Sequence, residues 1–216
     1  PATTLVIPDG AFNAPKLASI TVHADNPNFL SSAGNLYSKD GKKLIIYPSS
    51  RPGTSFEVPP SVEEITYCAF RQPQILETAT VPNSVLLMDF GFRSCSVVES
   101  TLTAINIDEA NPNYSSVDGV QFNKDKSTLI SYPSSKRAKS FTVPATVTRL
   151  ISLVRTRYLE SIILPVGLVK IDRYAFQGSL ELRSIDIPAS VTDFGDYPFI
   201  QSVKFETFTV ASASTT

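Results

Sequence analysis

The chain has 216 residues, 42% of them hydrophobic, and a net charge of −1. That is enough apolar material for one domain of moderate size or a short repeat array with a continuous core. The charge lacks the basic excess of a nucleic-acid footprint, and no run of 18 apolar residues is present to cross a membrane.

Read in order, the chain begins partway through a repeat. Ile7 stands four residues before Ala11-Phe12, as Ile171 stands four before Ala175-Phe176. Either the N-terminal cap is a half-repeat or more sequence lies upstream, and apolar side chains near Leu5, Ile7 and Phe12 are expected at an exposed edge. Leu17 to Val22 alternates Ile20 and Val22 with Ser19 and Thr21, which predicts the first strand. Residues 23 to 29 are a loop by their Asn, Pro and Asp content. Asn35–Ser38 and Lys43–Tyr47 then flank Lys39-Asp40-Gly41-Lys42, a hairpin signal because glycine accepts the positive φ such turns need.

This long unit occurs twice. Asn26-Pro27-Asn28-Phe29 matches Asn111-Pro112-Asn113-Tyr114, and Tyr47-Pro48-Ser49-Ser50 matches Tyr132-Pro133-Ser134-Ser135. Ser55-Phe56 and Val58-Pro59 match Ser140-Phe141 and Val143-Pro144. A single offset, that from Asn26 to Asn111, relates every pair, so two hairpins are expected at 35 to 47 and 120 to 132. A shorter period is marked by proline, with one equal step from Pro59 to Pro82 and from Pro165 to Pro188, and a slightly shorter one from Pro144 to Pro165. The shared pattern is L-x-x-I-x-I, then P-x-x-V-x-x-I-x-x-x-A-F, clearest at Leu182 to Val191. In the last unit Phe199 leads directly into Ile200-Gln201-Ser202-Val203-Lys204-Phe205, as though a connecting turn were missing. Residues 1–210 are read as a single solenoid starting mid-repeat, and 211–216 as a disordered polar tail or linker.

One such unit cannot bury its apolar positions alone, whereas stacked units pile them into a column. The expected fold is a β-rich solenoid. It has a parallel sheet of L-x-x-I-x-I strands on the concave face, short strands and turns on the convex face, two inserted hairpins and little helix. Proline, with no N–H for the ladder, stands where each strand stops. Outward side chains form two rows. The first is Ser19, Ser55, Thr78, Ala104, Ser140, Ser161, Ser184 and Ser202; the second is Thr21, Glu57, Thr80, Asn106, Thr142, Ile163, Asp186 and Lys204. Such small residues form a flat polar binding face, or they simply fit crowded neighbouring strands.

The repeat pattern resembles the BspA-like class of leucine-rich repeat, and the duplicated D-x-x-N-P-N-[FY] … Y-P-S-S segment is similar to the hairpin-bearing unit of that family. The resemblance runs from Ile7 to about Phe205. It implies secreted or surface-exposed bacterial proteins, some of them adhesins that bind matrix or plasma proteins.

Chemistry finds little support. The single histidine, His23, has Asp108 as its counterpart in the second copy, so the position reads as a generic polar strand end rather than a triad member. Asp172, Asp186, Asp193 and Asp196 fall on solvent-facing repeat positions rather than as paired carboxylates. Asp108, Glu109, Asn111, Asn113 and Asp118 are the densest set of oxygen donors, but their spacing fits no calcium loop. The run Lys136-Arg137-Ala138-Lys139 reads as a solvated turn. Phe29, Tyr37, Tyr47, Tyr114, Phe122 and Tyr132 recur in both copies, which favours packing over ligand stacking. Cys68 and Cys95 occupy different offsets of neighbouring repeats, which predicts two free thiols.

The expectation is a non-enzymatic module with no catalytic residue, cofactor or metal. It is placed extracellularly or at the cell surface, where it binds a host or neighbouring-cell macromolecule, foremost an extracellular protein of matrix or plasma type. The candidate face is Ser19, Thr21, Thr78, Thr80, Asn106, Thr142, Ser184 and Asp186. The alternatives are a passive spacer presenting another domain, or a carbohydrate-binding module. No nucleic acid and no membrane insertion are expected, and the chain should be a monomer or associate weakly end to end.

Overall fold

A computed structural model describes residues 3, 4, 6, 7, 12, 14–88, 91, 92 and 100–211. Two compact units make up the chain, Pro1–Asn113 and Tyr114–Thr216. The first holds β1 (Phe29–Ser32), β2 (Asn35–Ser38), β3 (Lys43–Ile46), β4 (Ser55–Glu57), β5 (Glu64–Ile65), β6 (Thr78–Val81) and β7 (Ala104–Ile107). The second holds β8 (Tyr114–Val117), β9 (Val120–Asn123), β10 (Thr128–Ser131), β11 (Ser140–Thr142), β12 (Arg149–Leu150), β13 (Ser161–Ile163), β14 (Lys170–Ile171), β15 (Ser184–Ile187), β16 (Asp193–Phe194) and β17 (Thr207–Val210). Among the described residues there is no helix.

The boundary between the units falls at the duplication. Strands β1 to β5 begin at 29, 35, 43, 55 and 64, and β8 to β12 begin at 114, 120, 128, 140 and 149, so the second set repeats the first at one constant offset. Each unit winds as a β-solenoid with two kinds of sheet. In the first unit β4, β6 and β7 pair in parallel, while β1, β2, β3 and β5 form the other sheet. In the second unit β11 pairs β13 and β15 pairs β17, both in parallel. The other sheet there runs β8-β9-β10-β12-β14-β16. The V-x-x-I half of each repeat supplies the two-residue strands β5, β12, β14 and β16.

A recurrent turn separates the halves. The carbonyls of Pro59, Pro82, Pro144, Pro165 and Pro188 accept the N–H three residues on, at 3.0, 3.3, 3.0, 3.0 and 3.1 Å. Proline ends the strand because it has no donor, and its free carbonyl then closes the turn. Val62, Val85, Val147 and Leu168, which give those N–H groups in the first four turns, are fully buried. The Ala-Phe positions lie beneath: Ala175 and Phe176 are both fully buried, and Phe70 stacks on Phe92 with ring centroids 4.3 Å apart.

The hairpins are larger than the Asp-Gly signal indicates. Each is a three-stranded meander, β1-β2-β3 and β8-β9-β10, whose last strand continues in parallel into β5 or β12. The additional turns are Ala33-Gly34 (φ 47 and 79) and Asp118-Gly119 (φ 50 and 74), the paired positive φ of a type I′ turn. The second turn of each meander is held by an aspartate. Asp40 accepts from Ser38 Oγ at 2.6 Å and from the Lys42 N–H at 3.0 Å; Asp125 accepts from the Ser127 hydroxyl and N–H at 2.7 and 2.9 Å. Those bonds to the ionised form hold both carboxyls below the usual carboxylate range, the serine hydroxyl contributing most.

The Asn-Pro-Asn motif has a structural use. Asn111 is fully buried; its Nδ2 donates to the carbonyls of Pro82 and Val85 at 3.0 and 2.9 Å, and its Oδ1 accepts the Asn113 N–H at 3.0 Å. Asn26 Oδ1 accepts from Asn28 and Phe29, both at 2.9 Å. Asn111→Ala leaves two carbonyls without that donor. It should lower stability by about 2–4 kcal/mol, read by chemical denaturation; a change below about 0.5 kcal/mol would refute the role.

Tyr132 is buried, and its hydroxyl has no hydrogen-bond partner among the described residues. Burial pushes its phenol up to about 12. The unfolded chain releases that proton near pH 10 while the folded chain holds it to about pH 12. This part of the stability is therefore intact below pH 10 and falls as pH rises toward 12. Tyr132→Phe should remove up to about 2–3 kcal/mol of that alkaline loss, measured as the difference in denaturation midpoint between pH 9 and 12.

Three expectations are corrected. Leu17 to Val22 carries no assigned strand; instead the Ile20 N–H donates to the Gly34 carbonyl at 2.8 Å and the Val22 N–H to Ser31 Oγ at 2.9 Å. The first meander thus takes up this stretch. The last unit is not missing a turn: β17 pairs with β15 at Ser184↔Thr207 and Asp186↔Thr209, a full step of the repeat. Ser202 and Lys204 therefore leave the two rows, and Thr207 and Thr209 enter them. Cys68 is disulfide-bonded, not a free thiol; Cys95 lies outside the described residues. Of the expected N-terminal edge, Phe12 is 38% exposed and Ile7 is half-buried, while Leu5 lies outside the described residues, as does the tail from 212.

Candidate interaction face

The candidate side chains alternate along strands whose other side chains are the core. In β6, Ala79 and Val81 are fully buried while Thr78 is half-buried and Thr80 exposed. In β7, Ile105 and Ile107 are buried and Asn106 is exposed. The register Glu57↔Thr80↔Asn106 puts three exposed polar side chains in one row across the first unit, with Ser55↔Thr78↔Ala104 beside it. Such neighbours lie about 5 Å apart across a sheet. Ser19 and Thr21 are exposed but stand on the stretch without an assigned strand, and no strand pairing brings them into this row. Ser19 lies under the meander turn, where a Cβ at Gly34 would come within 3.1 Å of Ser19 Cβ.

In the second unit Thr142 stands beside Ile163, which is 62% exposed. Ser184 and Asp186 are exposed beside Thr207 and Thr209. Strands β13 and β15 pack beside each other without an assigned ladder, so the row there consists of two hydrogen-bonded pairs in contact. Of the eight candidates, Thr78, Thr80 and Asn106 stand together in the first unit, Ser184 and Asp186 share β15 and Thr142 stands on β11 in the second, and Ser19 and Thr21 lie apart from these rows.

Charges flank these rows, a feature that reading the strands alone does not reveal. Lys139 pairs with Glu160 at 2.9 Å, Arg183 with Glu206 at 3.8 Å, and Lys204 with Glu181 at 2.7 Å. Glu160 holds the Lys139 ammonium above its usual value, and Lys139 holds the Glu160 carboxyl below its own. The signal was available in the sequence as opposite charges spaced by one turn of the repeat. The second sheet carries Arg149 with Asp172, whose two bonds of 3.0 and 2.7 Å form a bidentate pair, and Lys170 with Asp193 at 2.5 Å. Exposed pairs of this kind contribute little stability, because water and salt screen them, and they serve register more than strength.

The other candidates have structural partners. Asp172, Asp193 and Asp196 face Arg149, Lys170 and Arg173 rather than one another, and Asp186 stands exposed on β15. His23 lies in an exposed turn, its Nδ1 3.7 Å from Asp25 Oδ2. In the calcium candidate set, Asn111 turns its amide to carbonyls, Asn113 Nδ2 donates to the Leu86 carbonyl at 2.7 Å, and Asp108 Oδ1 accepts the Ala110 N–H at 2.8 Å. Among the described residues no three His, Cys, Asp or Glu side chains gather as metal ligands. Lys136 donates to the carbonyl of Asp118, and Arg51, its counterpart in the first copy, donates to that of Ala33; in both copies a cation covers the meander turn. The six recurrent aromatics are all buried. Among the described residues no helix is long and apolar enough to cross a membrane.

Parallel strands spaced by one short repeat, joined by proline turns over an Ala-Phe core, define a leucine-rich repeat solenoid. The family model for the BspA type leucine rich repeat region matches residues 47–152 and 152–216. The chain belongs to that family. Among solved structures it is similar to a leucine-rich repeat protein from Eubacterium ventriosum, with a TM-score of 0.65, 26% identity, and coverage of 73% of this chain and 42% of that one. It is also similar to the pneumococcal vaccine antigen PcpA, with a TM-score of 0.55, 28% identity, and coverage of 75% and 52%. The chain therefore spans about half or less of the length of these relatives. No curated protein matches significantly.

Proposed function

We propose that the chain is a non-enzymatic interaction module of a secreted or surface-displayed protein, and that it binds an extracellular protein of matrix or plasma type. Membership of a repeat family consistent with protein interaction supports this, as does similarity to a protein named as a vaccine antigen. The observation that carries the reading is the row Glu57, Thr80 and Asn106, exposed and aligned on a three-stranded sheet whose opposite side is core. Short hydroxyl and amide groups on fixed backbone offer hydrogen bonds at little entropic cost. A protein partner needs roughly 1,200 Å² of total buried surface.

The test is binding of the purified chain to a panel of matrix proteins, plasma proteins and glycans, repeated with Thr80→Arg, Asn106→Arg and Asp186→Arg. Loss of binding by tenfold or more with Thr80→Arg or Asn106→Arg is expected. Binding that survives all three changes would move the site off these strands, and no binding to any protein or glycan would favour a passive spacer.

A further inference from the structure

Strand β6 lies inside its sheet, with β4 on one side and β7 on the other, so its outward face is a flank of the stack and not an end of it. The outward side chains of Glu57, Thr80 and Asn106 make no hydrogen bond or ion pair among the described residues. Their carboxylate, hydroxyl and amide groups stand exposed on fixed backbone.

Charge decides what such a face accepts. In the second unit the residue before each outward strand has a charged partner: Lys139 pairs with Glu160 at 2.9 Å and Arg183 with Glu206 at 3.8 Å. The same position in the first unit reads Thr54, Glu77 and Thr103. The Glu77 N–H donates to the Thr54 carbonyl and the Thr103 N–H to the Glu77 carbonyl, both at 2.8 Å, which sets these three residues side by side. The exposed Glu77 therefore has a threonine, not a cation, on both neighbouring turns. Asp108, exposed beyond the end of β7, accepts the Ala110 N–H and faces no cation. Cations of this unit are engaged elsewhere: Lys42 and Lys43 face Glu63 and Glu64, and Lys39 and Arg51 donate to the carbonyls of Ala24 and Ala33. The imbalance extends to the whole unit. Pro1–Asn113 holds 7 Lys and Arg against 11 Asp and Glu, a net charge of −4, whereas Tyr114–Thr216 holds 12 against 9, a net charge of +3.

Uncompensated carboxylates give a water-facing sheet a negative potential, which draws in cations and repels anions. Glu57 is in register with Thr80, and Glu77 precedes Thr80 by three residues on the adjoining chain. At about 3.3 Å per residue and about 5 Å between strands, the two backbones lie about 11 Å apart, close to the spacing of every third residue on an extended chain. Resting on the reading of this row as a protein-binding surface, we propose that the partner presents a basic, extended segment to it. Lysine or arginine side chains of that segment meet Glu57 and Glu77, and its polar groups bond to Thr80 and Asn106.

The probe is a synthetic peptide with lysine at every third position and serine between, and the control replaces each lysine by glutamate. Titrated into the full chain and followed by amide NMR shifts, the lysine peptide should bind saturably and perturb residues 55–58, 77–81 and 104–108; the glutamate peptide should not bind. Glu57→Gln with Glu77→Gln should weaken binding about threefold to tenfold, the size of two exposed ion pairs. Asp25→Asn, which removes an exposed carboxylate in the loop before β1, should leave it unchanged. Raising salt from about 0.1 to 1 M should remove most of the binding, as the screening length falls from about 10 to 3 Å. Absence of saturable binding, equal binding by the glutamine variant, or shifts that leave those three segments untouched would overturn the proposal. Any protein that the panel identifies separates this from the broader reading. Binding lost with Asn106→Arg but unmoved by the glutamine changes overturns the basic partner and leaves the row standing; binding unmoved by either overturns both. Self-association in sedimentation that the glutamine changes abolish would also overturn it, by giving the face to the positively charged unit of a second copy.

Discussion

Phe176→Ala should lower the unfolding free energy by about 3–5 kcal/mol, the usual cost of removing a buried aromatic ring. The ring is fully buried and stacks on Phe199 at 5.2 Å, and Phe199 stacks in turn on Phe205 at 4.1 Å. Deleting Phe176 leaves a cavity that the flanking turns cannot close, because their backbones are tied at the same point. The Phe176 N–H donates to the Pro198 carbonyl at 2.9 Å, and Ser202 Oγ donates to the Phe176 carbonyl at 2.9 Å. In a solenoid each turn is stabilised by its neighbours, so the loss should propagate through the second unit. Urea denaturation followed by circular dichroism checks this. A change under about 1 kcal/mol would show that the stacked rings do not hold the turns together.

Reduction should have a comparable effect. Cys68 is disulfide-bonded, and Cys95 is the one other cysteine of the sequence. Closing a loop from 68 to 95 is worth about 3–4 kcal/mol in the chain-entropy account. The chain denatured without reductant should therefore show no titratable thiol. Reductant, or Cys68→Ser, should lower the thermal midpoint by several degrees while the second unit, which contains no cysteine, keeps its strand signal. Two thiols in the non-reduced chain would contradict the bond.

Much of the architecture was legible because repetition averages out local ambiguity. Alternation at Thr78-Ala79-Thr80-Val81 alone is a short and uncertain strand signal. The same alternation at every L-x-x-I-x-I segment, with one offset relating five strands to five others, leaves one architecture. The same register aligns the row members on β4, β6 and β7, on β11 and β13 and on β15, whereas Ser19, Thr21, Ser202 and Lys204 stand outside these strands. Misreadings arose where the residues imitate the pattern without its spacing. Ser202-Val203-Lys204-Phe205 alternates like a strand, yet Phe205 is drawn under Phe199 and the strand proper starts at Thr207. The step from Ile185 to Phe208, equal to that from Pro165 to Pro188, was the better signal. Leu17 to Val22 alternates too, but its hydrogen bonds go to the meander turn, a partner that local pattern cannot name. Cys68 sits in the left-handed region, with φ 55, where strand register no longer sets a side chain's direction. The charge ladders were present as offsets and become visible once the turns are stacked.

The outward row of β4, β6 and β7 is the proposed binding site for a macromolecule. The most direct measurement is surface plasmon resonance of the chain and of its Asn106→Arg variant against each protein that the panel identifies. Asn106 is exposed, so the variant should unfold at the same temperature. Binding of the variant should be at least tenfold weaker with unchanged stability; equal affinity for both chains would contradict binding at this row.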